Sequence, residues 1–130
     1  MFGRVTYAEV VEGVRATIAA YTHALDDGRT DDVVATFCPD GSFEMAGSPA
    51  VEGHGALAST YAGWVPRRPQ RHLVVNTHVT DCDDHEAHSI SDVVLLVEGS
   101  SGWTVQFVAR YDDTLHHDDG TWRFHRRVVS

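Results

Sequence analysis

The sequence predicts an α+β fold in which three N-terminal helices pack on a curved, mostly antiparallel sheet. Three observations carry this expectation. Apolar residues recur at helical spacing as far as Trp64, Pro66 and Pro69 then close the helical region, and from about residue 71 onward side chains alternate with a period of two. A chain of 130 residues, 42% hydrophobic, is long enough for one real core and too short for two, so one domain over 1–130 is expected.

Thr6 and Glu9 form a capping-box pair, Val10, Val14, Ile18, Tyr21 and Leu25 follow at helical spacing, and Gly28 supplies a C-terminal stop. That pattern places the first helix over about residues 7–27. Thr30 is the expected cap of a short second helix, with Asp31 and Asp32 in its first turn, Val33, Val34 and Phe37 on one side, and Pro39-Asp40-Gly41 as its stop. A brief strand over 42–46 and a loop over 47–53 come next. Leu57, Tyr61 and Trp64 then mark a third helix over 54–64, which ends before the prolines. Four strands fit the remainder, at about 71–80, 86–98, 103–115 and 121–129, and their short turn-rich connections make them an antiparallel meander. A pocket is expected where helices and sheet meet. Trp103, Trp122 and Phe124 read as sheet-core or interface aromatics, while Arg123, His125 and Arg127 alternate with the last two and fall on the other face.

The net charge of −9, with all ten basic residues arginine, argues against nucleic acid and anionic membrane as partners. Cys38 and Cys82 lie in separate segments and read as free thiols, no apolar run approaches a membrane span, and no signal-peptide pattern opens the chain. A cytoplasmic location is the expectation. Val93, Leu95 and Val97 alternate with Val94 and Leu96, and Phe107 adjoins Val108, so the strands are apolar on both faces. A homodimer through the open sheet face follows. The densest local group of metal-ligand types, His116-His117-Asp118-Asp119, sits in a turn with neighbouring side chains pointing apart, so no metal and no cofactor are expected.

Tyr21, Asp26 and His72 are the residues suited to acid–base chemistry. An imidazole titrates near neutrality, and a carboxylate beside it fixes its tautomer and raises its basicity. The plainer reading of Tyr21 is a core tyrosine on the apolar stripe of helix one. Asp26 is a surface acid on the same plain reading, although its place in the last helical turn opposes the helix dipole. His72 opens a strand on which His72, Val74, Asn76 and His78 share a face, so Asn76 either meets substrate or satisfies a buried backbone group. On the next strand His88, Ile90 and Asp92 share a face.

The order of elements resembles the SnoaL-like branch of the nuclear-transport-factor-2-like superfamily. The residues that carry the resemblance are Tyr21 on helix one, Phe37-Cys38-Pro39-Asp40-Gly41-Ser42-Phe43-Glu44, Val51-Glu52-Gly53-His54-Gly55-Ala56-Leu57, and Gly120-Thr121-Trp122-Arg123-Phe124-His125-Arg126-Arg127. The resemblance implies a cone-like α+β barrel. It leaves the reaction open among isomerases, dehydratases, epoxide hydrolases, cyclases and binding modules. The bile-acid and scytalone dehydratase type is nearest in pattern, with a tyrosine on helix one, an aspartate near its end and a histidine on the strand after helix three, here Tyr21, Asp26 and His72. A further acid on a later strand in that type points to Asp92. Ketosteroid isomerases share the tyrosine, but Met45 stands where their general-base aspartate is found. Arg110-Tyr111-Asp112-Asp113 is a loose match to the epoxide-hydrolase relay. The resemblance therefore implies a cofactor-independent lyase, isomerase or cyclase for a small cyclic, steroid-like or polyketide-like molecule. His72 and Asp26 would be its base, Tyr21 its oxyanion donor, and Asn76, Asp92, Tyr61 and Trp64 its substrate contacts. A non-catalytic ligand-binding or interaction domain of the same fold is the alternative.

Overall fold

The computed structural model describes residues 5–130. Helix α1 (Tyr7–Asp26) opens on the expected capping box, in which Thr6 Oγ1 accepts from Glu9 N at 3.1 Å. Val10, Val14, Ile18, Tyr21 and Leu25 form its buried stripe. Gly28 ends it with φ of +73°, a left-handed turn that lets Arg29 N–H reach Ala24 O at 2.8 Å. Helix α2 (Thr30–Ala35) starts one residue earlier than expected: Arg29 is the cap, because its carbonyl accepts the first helical bonds from Asp32 and Val33, and Thr30 is already inside.

Strand β1 (Phe37–Met45) begins well before the expected position, since Pro39-Asp40-Gly41 is an irregularity inside a strand and not a helix stop. Phe37 pairs with Phe124, and the ladder resumes only at Ser42 opposite Arg126. Gly41 permits that close approach, because a Cβ there would lie 2.7 Å from Phe124 O. The short β2 (Val51–Glu52) falls in the expected loop and pairs with β1, and helix α3 (His54–Ala62) follows. Strands β3 (Gln70–Cys82), β4 (Glu86–Gly99), β5 (Gly102–Asp118) and β6 (Thr121–Val129) form the expected meander. The six-stranded sheet has the order β2-β1-β6-β5-β4-β3, antiparallel throughout except where β1 joins β6 in parallel.

Two interruptions of register change which side chains face the helices. In β3 the pairing skips between Val75 and His78, where Asn76 takes a φ of +58°. Beyond it the inward phase moves to Thr77 and Val79, so Asn76 and His78 do not share the face of His72. In β6 the pairing skips His125, so Arg127 turns inward and is fully buried, which corrects the expectation that it stands on the outer face. The outer face of β3, β4 and β5 leaves Leu73, Val75, Trp103, Val105 and Val108 exposed. Among the described residues no helix is long and apolar enough to cross a membrane.

Candidate active site

His72 enters the interior on the second residue of β3 after Gln70, directly opposite Leu95 of β4. Asp26, the last residue of α1, meets it there. His72 Nδ1 and Asp26 Oδ1 are 2.6 Å apart, His72 N donates to Asp26 Oδ2 at 2.8 Å, and Gln70 Nε2 donates to Oδ1 at 3.1 Å. The two side chains are only 8% and 6% exposed. Burial alone would push the Asp26 carboxyl up, but the hydrogen bonds from the His72 ring and backbone, the charge of that ring and the Gln70 amide together hold it below its ordinary value. Asp26 therefore stays ionised and fixes the His72 proton on Nδ1, which leaves Nε2 as the basic nitrogen.

A cavity of about 290 Å³ adjoins this pair, lined by Tyr21, His72, Gln70 and Leu25 together with Phe43, Met45, Trp64, Leu95, Phe107 and Tyr111. The lining is chiefly apolar and aromatic, with polar atoms confined to a few positions, as a small-molecule site requires. Tyr21 and His72 thus reach one cavity, with Asp26 directly behind the histidine. Trp64 also lines it, just past the end of α3.

Tyr61 does not line the cavity. It is buried behind Tyr21, the two hydroxyls 2.7 Å apart, and so it touches the tyrosine and not the ligand space. Asn76 and Asp92 are displaced altogether. They bond to each other at 2.9 Å on the outer face of the sheet, where Asp92 also accepts from Arg110 at 3.1 and 3.2 Å. The alternation of β4 explains this: Ser89, Ser91, Val93 and Leu95 face inward, which sends Asp92 outward. Arg110 follows it, so the loose match to an epoxide-hydrolase relay does not fall in the cavity.

Besides the apolar lining, three polar residues of the site went unread in the sequence. Gln70 holds Asp26, and its signal was available, since it shares the alternation of His72. Tyr111 lines the cavity, and Arg127 backs it, its guanidinium carbon 3.4 Å from the Tyr111 ring centre and 4.3 Å from that of Tyr21. The β6 irregularity that turns Arg127 inward has no sequence signature. Arg127 Nε lies 3.1 Å from Asp113 Oδ1, and both side chains are fully buried. Among the described residues neither finds an aligned hydrogen-bond partner, so the pair is held by charge and by the aromatic faces rather than by directed bonds. Burial pushes the Asp113 carboxyl up to about 6 even against the pull of Arg127. Burial likewise raises the Tyr21 phenol, against a lowering by Arg127 and by the Tyr61 hydrogen bond, so Tyr21 is a neutral hydrogen-bond donor at physiological pH.

The sequence profile of the SnoaL-like domain family matches residues 6–128. Among solved structures, a protein of unknown function from Mycobacterium tuberculosis superposes with a TM-score of 0.87 at 23% identity, covering 93% of this chain and 70% of that one. A scytalone dehydratase candidate from Novosphingobium aromaticivorans gives 0.81 at 21% identity, covering 92% and 82%. A Catenulispora acidiphila protein in complex with S-DNPA gives 0.84 at 25% identity, covering 94% and 92%. No curated protein matches the sequence.

Proposed function

The chain belongs to the SnoaL-like domain family, and on that premise we propose that it is a cofactor-independent lyase or isomerase that removes a proton beside a carbonyl of a small cyclic or polyketide-like substrate. The observation that carries this reading is the 2.6 Å contact between His72 Nδ1 and Asp26 Oδ1 at the wall of a cavity that Tyr21 also lines. His72 Nε2 takes the α-proton, and the adjacent Asp26 carboxylate stabilises the imidazolium that results. With Tyr61 as the donor in the 2.7 Å hydroxyl pair, the Tyr21 proton is free for the developing enolate oxygen. In a dehydration the enolate reforms its carbonyl as the β-hydroxyl departs, and the proton held on His72 leaves with it as water. These groups supply a base, an orienting carboxylate and an oxyanion donor, which together meet the needs of the reaction.

A volume of about 290 Å³ flanked by Phe43, Trp64, Phe107 and Tyr111 favours a flat molecule of one or two rings over a full steroid. The Novosphingobium aromaticivorans neighbour supports the dehydratase assignment, and the S-DNPA complex of the Catenulispora acidiphila protein supports a ligand-holding role. The test is a panel of cyclic β-hydroxy ketones followed by enone absorbance. Conversion by the wild type that is lost in His72→Ala is expected. Saturable binding without conversion would replace the enzyme reading with that of a ligand-binding domain.

A further inference from the structure

On the outer side of the sheet, away from the dyad, Cys38, His116 and His125 come together from three different strands. One ligand atom of each lies within 4.8 Å of the others. Of the adjacent turn residues weighed in the sequence only His116 joins this group, because it depends on strand pairing and not on local spacing. Cys38 stands in the irregular segment of β1 between Phe37 and Ser42, and His125 is the residue that the β5–β6 ladder skips. Two bulges on neighbouring strands therefore fall side by side, and His116 of β5 completes the set. Bulges of this kind re-aim side chains that regular pleating would separate.

We propose that these residues form a zinc site. Thiolate and imidazole together suit a borderline divalent ion such as Zn²⁺, and three protein ligands leave a fourth position for water or a carboxylate. His125 Nδ1 is itself shielded and has no hydrogen-bond partner among the described residues, so it is free to take a ligand. The surroundings supply negative charge: Asp40 Oδ1 lies 3.9 Å from His125 Nδ1, and Glu86 Oε2 lies 2.9 Å from His116 Nε2. Arg123 is the cation that opposes them near Cys38, and its backbone oxygen accepts from the Cys38 thiol at 3.7 Å.

Zn–N lengths of about 2.0–2.1 Å and a Zn–S length of about 2.3 Å place two nitrogens and one sulfur of a tetrahedral site roughly 3.3–3.6 Å apart. The group must therefore close by no more than about an ångström. The two imidazoles now stack at 4.2 Å with a 12° interplanar angle, so one ring turns as the ion enters. A bound ion would tie β1, β5 and β6 together from outside. It takes the thiol proton's place, so affinity rises with pH.

The test is a cobalt titration of the reduced full chain. One equivalent of Co²⁺ is expected to give an intense thiolate-to-cobalt charge-transfer band with tetrahedral visible bands, displaced by one equivalent of Zn²⁺. Cys82→Ser should keep the band and Cys38→Ser should lose it, while His116→Ala and His125→Ala should each weaken binding by at least about tenfold. Zn²⁺ should raise the melting temperature of the wild type but not of Cys38→Ser, and circular dichroism checks that each variant is folded. A wild type without the charge-transfer band, or a Cys38→Ser protein that retains it, would overturn the site.

Discussion

Replacing Arg127 by Leu leaves the Asp113 carboxyl buried without its counter-charge and removes the guanidinium from between the Tyr21, Tyr111 and Phe124 rings. Breaking a fully buried pair in this way costs about 3–5 kcal/mol. The electrostatic share of that figure can be bounded. Asp113 can escape by taking up a proton, and holding it neutral at pH 7 costs roughly 4 kcal/mol relative to the unfolded chain, of which the wild type, whose Asp113 titrates at about 6, already bears roughly 3. The added electrostatic loss is therefore about 1.4 kcal/mol at most, and the remainder is lost packing. The pH dependence separates this cause from lost packing. In the wild type the Asp113 carboxyl titrates at about 6 when folded, so its burial cost is constant above that pH and is relieved as pH falls toward the unfolded value near 3.8. In the variant the folded value is higher still, so relief begins already at pH 7. The stability gap between the two proteins should therefore narrow by about 1 kcal/mol from pH 7 to pH 6 and by only about a third as much from pH 6 to pH 5. Urea unfolding followed by tryptophan fluorescence at those pH values measures it. The double variant Asp113→Leu/Arg127→Leu, which leaves no buried charge, should recover most of the loss. A single variant that loses less than about 1 kcal/mol, or a gap independent of pH, would refute the reasoning.

Asp26 has the opposite sign. Its carboxylate is held below the ordinary value in the folded protein, so its stabilising contribution is complete above a pH of about 4 and disappears as pH falls through the lower folded value. Below pH 4, Asp26→Asn should lose less stability than the wild type in the same unfolding series. Gly13→Ala should destabilise by about 1–2 kcal/mol, even though alanine is the better helix former by roughly 0.5–1 kcal/mol, because the new methyl meets the buried Trp122 ring; thermal unfolding gives the sign. The exposed apolar outer face should pair two copies of the chain, so Val108→Lys, at a position 71% exposed, should convert a dimer to a monomer in light scattering, and a wild-type monomer at micromolar concentration would end that expectation.

Most of the fold was legible because its signals are local. The Thr6 capping box, the Gly28 stop and the alternation of the last four strands each act within a few residues, and all lie where local chemistry places them. Pro39-Asp40-Gly41 misled because a turn signature and a strand bulge use the same residue types, and only the pairing with β6 decides between them. The site was legible to the same depth. Tyr21, Asp26 and His72 meet because a helix end and a strand start are brought together by the fold their own periodicities specify. Asn76 was assigned by alternation and Asp92 by the resemblance. Alternation excludes Asp92 from the cavity once the inward phase of β4 is known, and it fails for Asn76 because the left-handed residue resets the phase of β3. Arg127 and the Cys38, His116 and His125 group depend on bulges and on contacts between distant strands, which a period of two cannot reveal.

The assignment of His72 as a base oriented by Asp26 is tested most directly by solvent exchange. Incubated in D₂O with a cyclic β-hydroxy ketone, the wild type should catalyse α-deuterium incorporation, read by proton NMR. Asp26→Asn and His72→Ala should each lower the rate by a similar factor of about 10² or more, and the double variant should fall little further than the worse single one. Folded His72→Ala with near-wild-type exchange would contradict the account, and losses that multiply would show that the two residues act separately.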